Sequence, residues 1–187
     1  MRDIVYFDLE TRHSGAEVGG WHNTADMRVS VGVTYSTASG KYTIYSEEMV
    51  DDLILQLRQA DLVVGYNHEH FDYGVLQRYT MWNMIDITNN LDLCKDIEQR
   101  GGVRVKLDSV AAASIGSSKT AVGTQALKWW AEYVQTGNTD LLMDIARYCC
   151  FDVKVTRDVH WYGAEHGFIR YDDKKGGQVE LPVDWKL

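Results

Sequence analysis

Apolar and polar positions alternate at period two in short runs through the first third of the chain and recur at helical spacing through the last third. Ile4 to Leu9 (IVYFDL) is short, rich in β-branched and aromatic side chains, and broken by one acid, the pattern of a buried strand. Alternation puts Ile4, Tyr6, Asp8 and Glu10 on one face and Val5, Phe7 and Leu9 on the other. Residues 12–27 are Gly-rich and polar, with Trp21 and His22 among them, and read as a loop. Met27 to Thr37 is a second strand, Ala38-Ser39-Gly40-Lys41 a hairpin turn, and Tyr42 to Tyr45 the returning strand. Ser46-Glu47-Glu48-Met49 opens a helix with a serine N-cap and first-turn acids, its apolar face being Met49, Leu53, Leu57 and Ala60. Asp61 to Tyr66 is another short buried strand, and a helix begins at Asp72.

Residues 89–115 read as two short helices joined by the basic turn Arg100 to Lys106. Ser117 to Thr120 is a polar loop before a helix carrying Leu127, Trp129, Trp130 and Tyr133, whose aromatics suit a core better than a base-stacking platform. Residues 140–163 form the clearest helix, with the stripe Leu141, Ile145, Tyr148, Asp152, Val155 and Val159. Phe168 to Tyr171 and Gln178 to Val183 read as a hairpin, either an addition to the sheet or a cover for the core. The order strand, hairpin, helix, strand predicts an α/β fold: a mixed central sheet flanked by helices, with a C-terminal β-hairpin.

Composition narrows the class. The 187 residues suffice for one domain with a real core, divided as 1–166 and a hairpin at 167–187. The single proline, Pro182, leaves no linker, and Arg2 and Asp3 exclude a signal-peptide core at the N-terminus. No apolar run reaches the roughly 20 residues of a membrane span. Cys94, Cys149 and Cys150 form no zinc-type pair and are expected as reduced thiols of a cytoplasmic protein. A net charge of -8 argues against a basic nucleic-acid coat protein, but not against an enzyme whose acids hold cations.

Three acidic positions carry candidate chemistry. Asp8 and Glu10 lie roughly 7 Å apart on one strand face, either solvated in a polar turn or forming half of a metal site. Asp72 suits a helix N-terminus, which by itself explains an acid there. Asp152 has the least ordinary position: it interrupts an apolar stripe, where a carboxylate destabilises unless it is paired or binds a metal. Tyr148 lies four residues earlier on the same face. The basic turn is either a solvated loop or a phosphate contact.

These stretches resemble the DEDD superfamily of 3′-to-5′ exonucleases, whose fold is ribonuclease H-like. Phe7-Asp8-Leu9-Glu10-Thr11 matches its first motif, Asn67 to Asp72 (NHEHFD) the second, and Tyr148-Cys149-Cys150-Phe151-Asp152 the third. The third has the tyrosine-subclass form, since Arg147 stands where the histidine subclass has His. The resemblance implies two Mg²⁺ or Mn²⁺ ions on Asp8, Glu10, Asp72 and Asp152. It also implies a water oriented by Tyr148, and a single-stranded DNA or RNA 3′ end as partner. Thr11, Asn67, Phe71 and Lys119 are the implied substrate contacts, with Asn67 alternatively bracing the Asp72 loop and Phe71 alternatively a core residue. The acidic charge suggests a weak grip on a long strand, hence short processivity or recruitment by a protein partner, and residues 12–27 are a candidate gate.

Two rivals remain at this level. His68-x-His70-x-Asp72 resembles the start of a metallo-β-lactamase zinc motif, although Tyr73 replaces its last His. A catalytically silent nucleic-acid- or protein-binding module of the same fold is the other, which has no need for buried carboxylates.

Overall fold

A computed structural model describes residues 2–117, 124–173 and 176–187. A five-stranded sheet runs in the order β3 (Lys41–Tyr45), β2 (Val29–Ser36), β1 (Ile4–Thr11), β4 (Leu62–Gly65), β5 (Asn90–Asp92). The β1–β2–β3 half is antiparallel, while β4 and β5 run parallel to β1, so the sheet is mixed as expected. The strand β5 is a finding against the helical reading of residues 89–115. Asn-Leu-Asp is too short and polar to show period two, and only the open edge of β4 recruits it.

The period-two reading of β1 holds in three dimensions. Ile4 and Tyr6 belong to one core, which also takes in Val31, Val33 and Val64 of the sheet. Val5, Phe7 and Leu9 belong to the other, against Leu53, Ile54 and Leu57 of α2 (Val50–Gln59) and Val75 and Leu76 of α3 (Asp72–Leu76). The opening of α2 differs from expectation. Glu47–Met49 form a 3₁₀ turn, the Ser46 side chain makes no capping bond, and Met49 faces solvent, so the buried face starts at Val50. Ala60 lies just beyond the helix and is only partly buried. Gly32 of β2 lets Leu53 approach the sheet, since a Cβ there would stand 2.9 Å from Leu53 Cδ2.

On the first face lie α5 (Leu93–Gly101), α6 (Leu107–Ile115), α7 (Thr124–Thr136) and the long α8 (Asp140–His166). All six residues of the expected α8 stripe are buried, Asp152 included. The aromatics of α7 are only half-buried: Trp129 meets the Tyr148 ring edge-on at 6.4 Å, and the Arg12 guanidinium lies 4.5 Å above Trp130. Two short helices, α1 (Thr24–Met27) and α4 (Met84–Ile87), complete the described helices. The hairpin of β6 (Phe168–Asp172) and β7 (Gln178–Pro182) is a separate two-stranded sheet. Ile169, Tyr171 and Leu181 face the α5/α6/α8 core, so the hairpin covers that core and does not extend the main sheet. Among the described residues no helix is long and apolar enough to cross a membrane.

The C-terminal segment closes over α8 at Gly163, where a Cβ would come within 2.4 Å of Trp185 Cε3. Gly163→Ala is therefore expected to destabilise by about 2 kcal/mol through overpacking, lowering Tm by roughly 6 °C. In a Trp185→Ala background the same substitution should cost far less, as a double-mutant cycle by thermal unfolding will show.

Candidate metal centre

β1 carries Asp8 and Glu10 on the face that α8 covers, and α8 brings Asp152 across to them. One oxygen from each of the three carboxylates lies within 4.8 Å of the others. Among the described residues this is the one group able to hold a metal ion. Asp72, at the first turn of α3, is buried and accepts the Leu9 backbone N–H through Oδ1 at 3.1 Å. That bond ties the loop before α3 to β1 at the residue between Asp8 and Glu10.

The cost of this arrangement is visible in the acids themselves. The Asp8 carboxyl is pushed well above its usual range, first by burial, then by the charges of Asp72, Asp152 and Glu10. Cys149 on α8 partly offsets this by donating its thiol to Asp8 Oδ2 at 3.4 Å. Burial raises Asp72 to about 7, even though the Leu9 N–H favours its charged form. Such a set of hard oxygen donors suits a hard divalent cation, whose charge replaces repulsion with attraction.

The loop that presents Asp72 is held by a residue the sequence did not flag. Asp92 accepts the Asn67 N–H at 2.7 Å and the Glu69 N–H at 3.1 Å, while also capping α5 through the Cys94 N–H. Asn67 adopts a left-handed backbone (φ 66°), a conformation asparagine tolerates. Gly65 makes room beneath it, since a Cβ would stand 2.7 Å from the His68 ring.

These groups line a cleft of about 410 Å³, shared by Asp8, Glu10, Thr11, Asn67, Phe71, Asp72, Tyr148 and Asp152. Every expected site residue but one is thus in one place; Lys119 lies outside the described residues. Tyr148 is buried one helical turn before Asp152. Trp21 also lines the cleft, 71% exposed, with its indole 6.0 Å from the Phe71 ring. It stands in the 12–27 loop, whose base is held by Arg12 and Arg28 on Glu47, with Tyr79 also donating to Glu47. A Trp preceded by two glycines in a polar loop was the available sequence signal. A larger hollow of about 690 Å³ between α2 and residues 79–82 holds no comparable set of acids.

The zinc-type reading of His68 and His70 fails on geometry. His68 is buried with Nε2 3.3 Å from Asn90 Oδ1, whereas His70 points to solvent. Arg147 and Lys154 bond to Asp144 and Asp158, on other faces of α8 than Asp152. In the basic turn, Arg100 is engaged by Asp96 and Asp184, as a solvated loop would be, but Arg104 reaches toward the cleft.

A family model described as the RNase_H superfamily matches residues 5–162, and the chain belongs to that superfamily. Among solved structures it is similar to the family B DNA polymerase from the hyperthermophilic archaeon Pyrobaculum calidifontis. There the TM-score is 0.63 and the identity 16%, over 88% of this chain and 24% of the polymerase chain. It is also similar to the zinc-ion-bound E. coli ExoI–ssDNA complex, with a TM-score of 0.49 and 11% identity over 89% of this chain and 41% of that one. The chain therefore spans about a quarter of the polymerase and about two fifths of the ExoI chain. None of the curated proteins matches the sequence. The likeness to the polymerase establishes the fold, and the ribonuclease H-like architecture expected from the motifs is borne out.

A carboxyl whose folded pKa is raised binds protons in the folded state that the unfolded state has released, so without metal its contribution to stability falls as pH rises. For Asp72 the window runs from its ordinary 3.8 to about 7. Asp72→Asn keeps an oxygen for the Leu9 N–H and removes that loss. In EDTA the variant should gain on wild type by a few kcal/mol between pH 4 and 7 and level off above. Comparing the two proteins cancels His160, whose lowered pKa acts in the opposite direction. Urea unfolding at stepped pH measures the difference, and a pH-independent gap would contradict the assignment.

Proposed function

We propose that this protein is a divalent-cation-dependent phosphodiesterase that removes nucleotides from the 3′ end of single-stranded DNA or RNA, in the manner of the tyrosine-subclass DEDD exonucleases. The observation that carries the reading is the convergence of Asp8, Glu10 and Asp152 within 4.8 Å, on the wall of a cleft that also holds Asp72 and Tyr148. Asp8, Glu10 and Asp152 would hold the ions directly, and Asp72 would contribute through the oxygen not engaged by Leu9. Two bound Mg²⁺ or Mn²⁺ ions supply charge neutralisation at the phosphate and a water of lowered pKa.

The remaining work falls to the chain. The Tyr148 hydroxyl orients the attacking water by hydrogen bond, because a tyrosine, with a reference pKa of about 10, is a poor base at neutral pH. Phe71 and Trp21 offer aromatic faces to the terminal base, a contact that tolerates any base. Asn67, Thr11 and Lys119 complete the substrate contacts. Residues 1–187 act as one domain, with the hairpin bracing α8 from behind. The three free cysteines support a reducing, cytoplasmic setting.

The test uses 5′-labelled single-stranded DNA and RNA of equal sequence with Mg²⁺, Mn²⁺, Zn²⁺ or EDTA, resolved on a sequencing gel. A ladder shortening from the 3′ end with Mg²⁺ or Mn²⁺, and none with EDTA, is the expected result. Internal cuts would move the chemistry to endonucleolysis, and tight binding without cleavage would favour a silent binding module. Asp152→Asn should lower kcat by about three orders of magnitude while the fold survives. Tyr148→Phe should slow turnover about a hundredfold and leave Mn²⁺ affinity unchanged; a large loss of Mn²⁺ binding would show that Tyr148 has another role.

A further inference from the structure

The turn between α5 and α6 carries a cation that the cleft chemistry does not use. Arg104 donates from its guanidinium to Asn67 Oδ1 at 2.6 Å, and Asn67 lines the cleft. The Asn67 backbone is anchored in turn by Asp92, so the carboxamide holds Arg104 at a fixed place on the rim. A second contact, to Glu98 at 3.4 Å, joins side chains that are each about half exposed (51% and 46%), and such surface pairs contribute little. Arg104 can therefore exchange Glu98 for an incoming anion without leaving a buried charge behind.

On its other side Arg104 borders a second hollow of about 470 Å³, together with Lys106. Tyr66 links the two spaces: it lines the cleft, and its hydroxyl donates to the Val105 carbonyl at 2.7 Å.

We propose that Arg104, aligned by Asn67, receives one backbone phosphate of the substrate strand immediately upstream of the bond cleaved in the cleft. The inference rests on the phosphodiesterase reading above and adds a phosphate subsite. A guanidinium presents a planar fork of donors that matches phosphate oxygens, which an ammonium does not. In a chain of net charge -8 the overall field adds nothing to the grip on a polyanion, so individual contacts of this kind decide affinity.

The experiment compares wild type, Arg104→Gln and Arg104→Lys on a dinucleotide, a tetranucleotide and a decanucleotide. Binding is read by fluorescence anisotropy with Ca²⁺, and kcat and KM are measured with Mg²⁺. A dinucleotide has only the scissile phosphate and cannot reach Arg104, so its KM should be the same in all three proteins. On the longer strands Arg104→Gln should raise Kd and KM about tenfold with kcat unchanged, and lower the salt slope of binding by about 0.7. Arg104→Lys should fall between the two.

Equal behaviour of wild type and Arg104→Gln at every length would overturn the subsite. If wild type cleaves nothing but the length-dependent binding loss appears, the phosphate contact stands and the nuclease reading falls. If no strand binds, both fall.

Discussion

Like-charge repulsion between carboxylates, imposed by the packing of one helix against one strand, is the constraint around which this structure is arranged. Ile145, Tyr148, Val155 and Val159 of α8 are buried against the sheet face that carries Asp8 and Glu10. Each buried aliphatic side chain of this kind contributes about 1.5–3 kcal/mol. Together they outweigh the few kcal/mol lost by bringing Asp152 to the other acids. The result is a fold that gathers three acids able to hold a cation. Its cost is stored in the raised Asp8 and Asp72 carboxyls.

Neutral contacts then fix the geometry that the charges oppose. The Leu9 N–H holds Asp72, the Cys149 thiol holds Asp8, and Asp92 clamps the Asn67–Glu69 turn to the start of α5. The cleft is thus fixed by backbone donors on β1, α5 and the loop before α3, which binding a cation leaves in place. Trp21 and Arg104 stand at the rim, one from the 12–27 loop and the other from the α5–α6 turn.

Much of this was legible in the sequence, for physical reasons. The alternation in Ile4–Glu10 and the stripe of α8 are strong because burial on one face dictates residue type, and an acid in either pattern stands out. The edge strand β5, the exposure of Met49 and the half-buried aromatics of α7 were not legible. In each, tertiary contact decides the outcome against a weak local signal. Asp92 looks like any surface acid until two turns converge on it. Arg104 reads as one member of a solvated basic turn, and only the fold reveals that Asn67, thirty-seven residues away, sits beside it.

The proposed divalent-cation site on Asp8, Glu10 and Asp152 is what everything else in the cleft depends on. Isothermal titration of the EDTA-treated protein with Mn²⁺, in two buffers of different ionisation enthalpy, addresses it most directly. Two ions per chain and proton release that grows as pH falls from 8 to 6 are expected, with both lost in Asp8→Asn. Binding without proton release, or undiminished in Asp8→Asn, would contradict it.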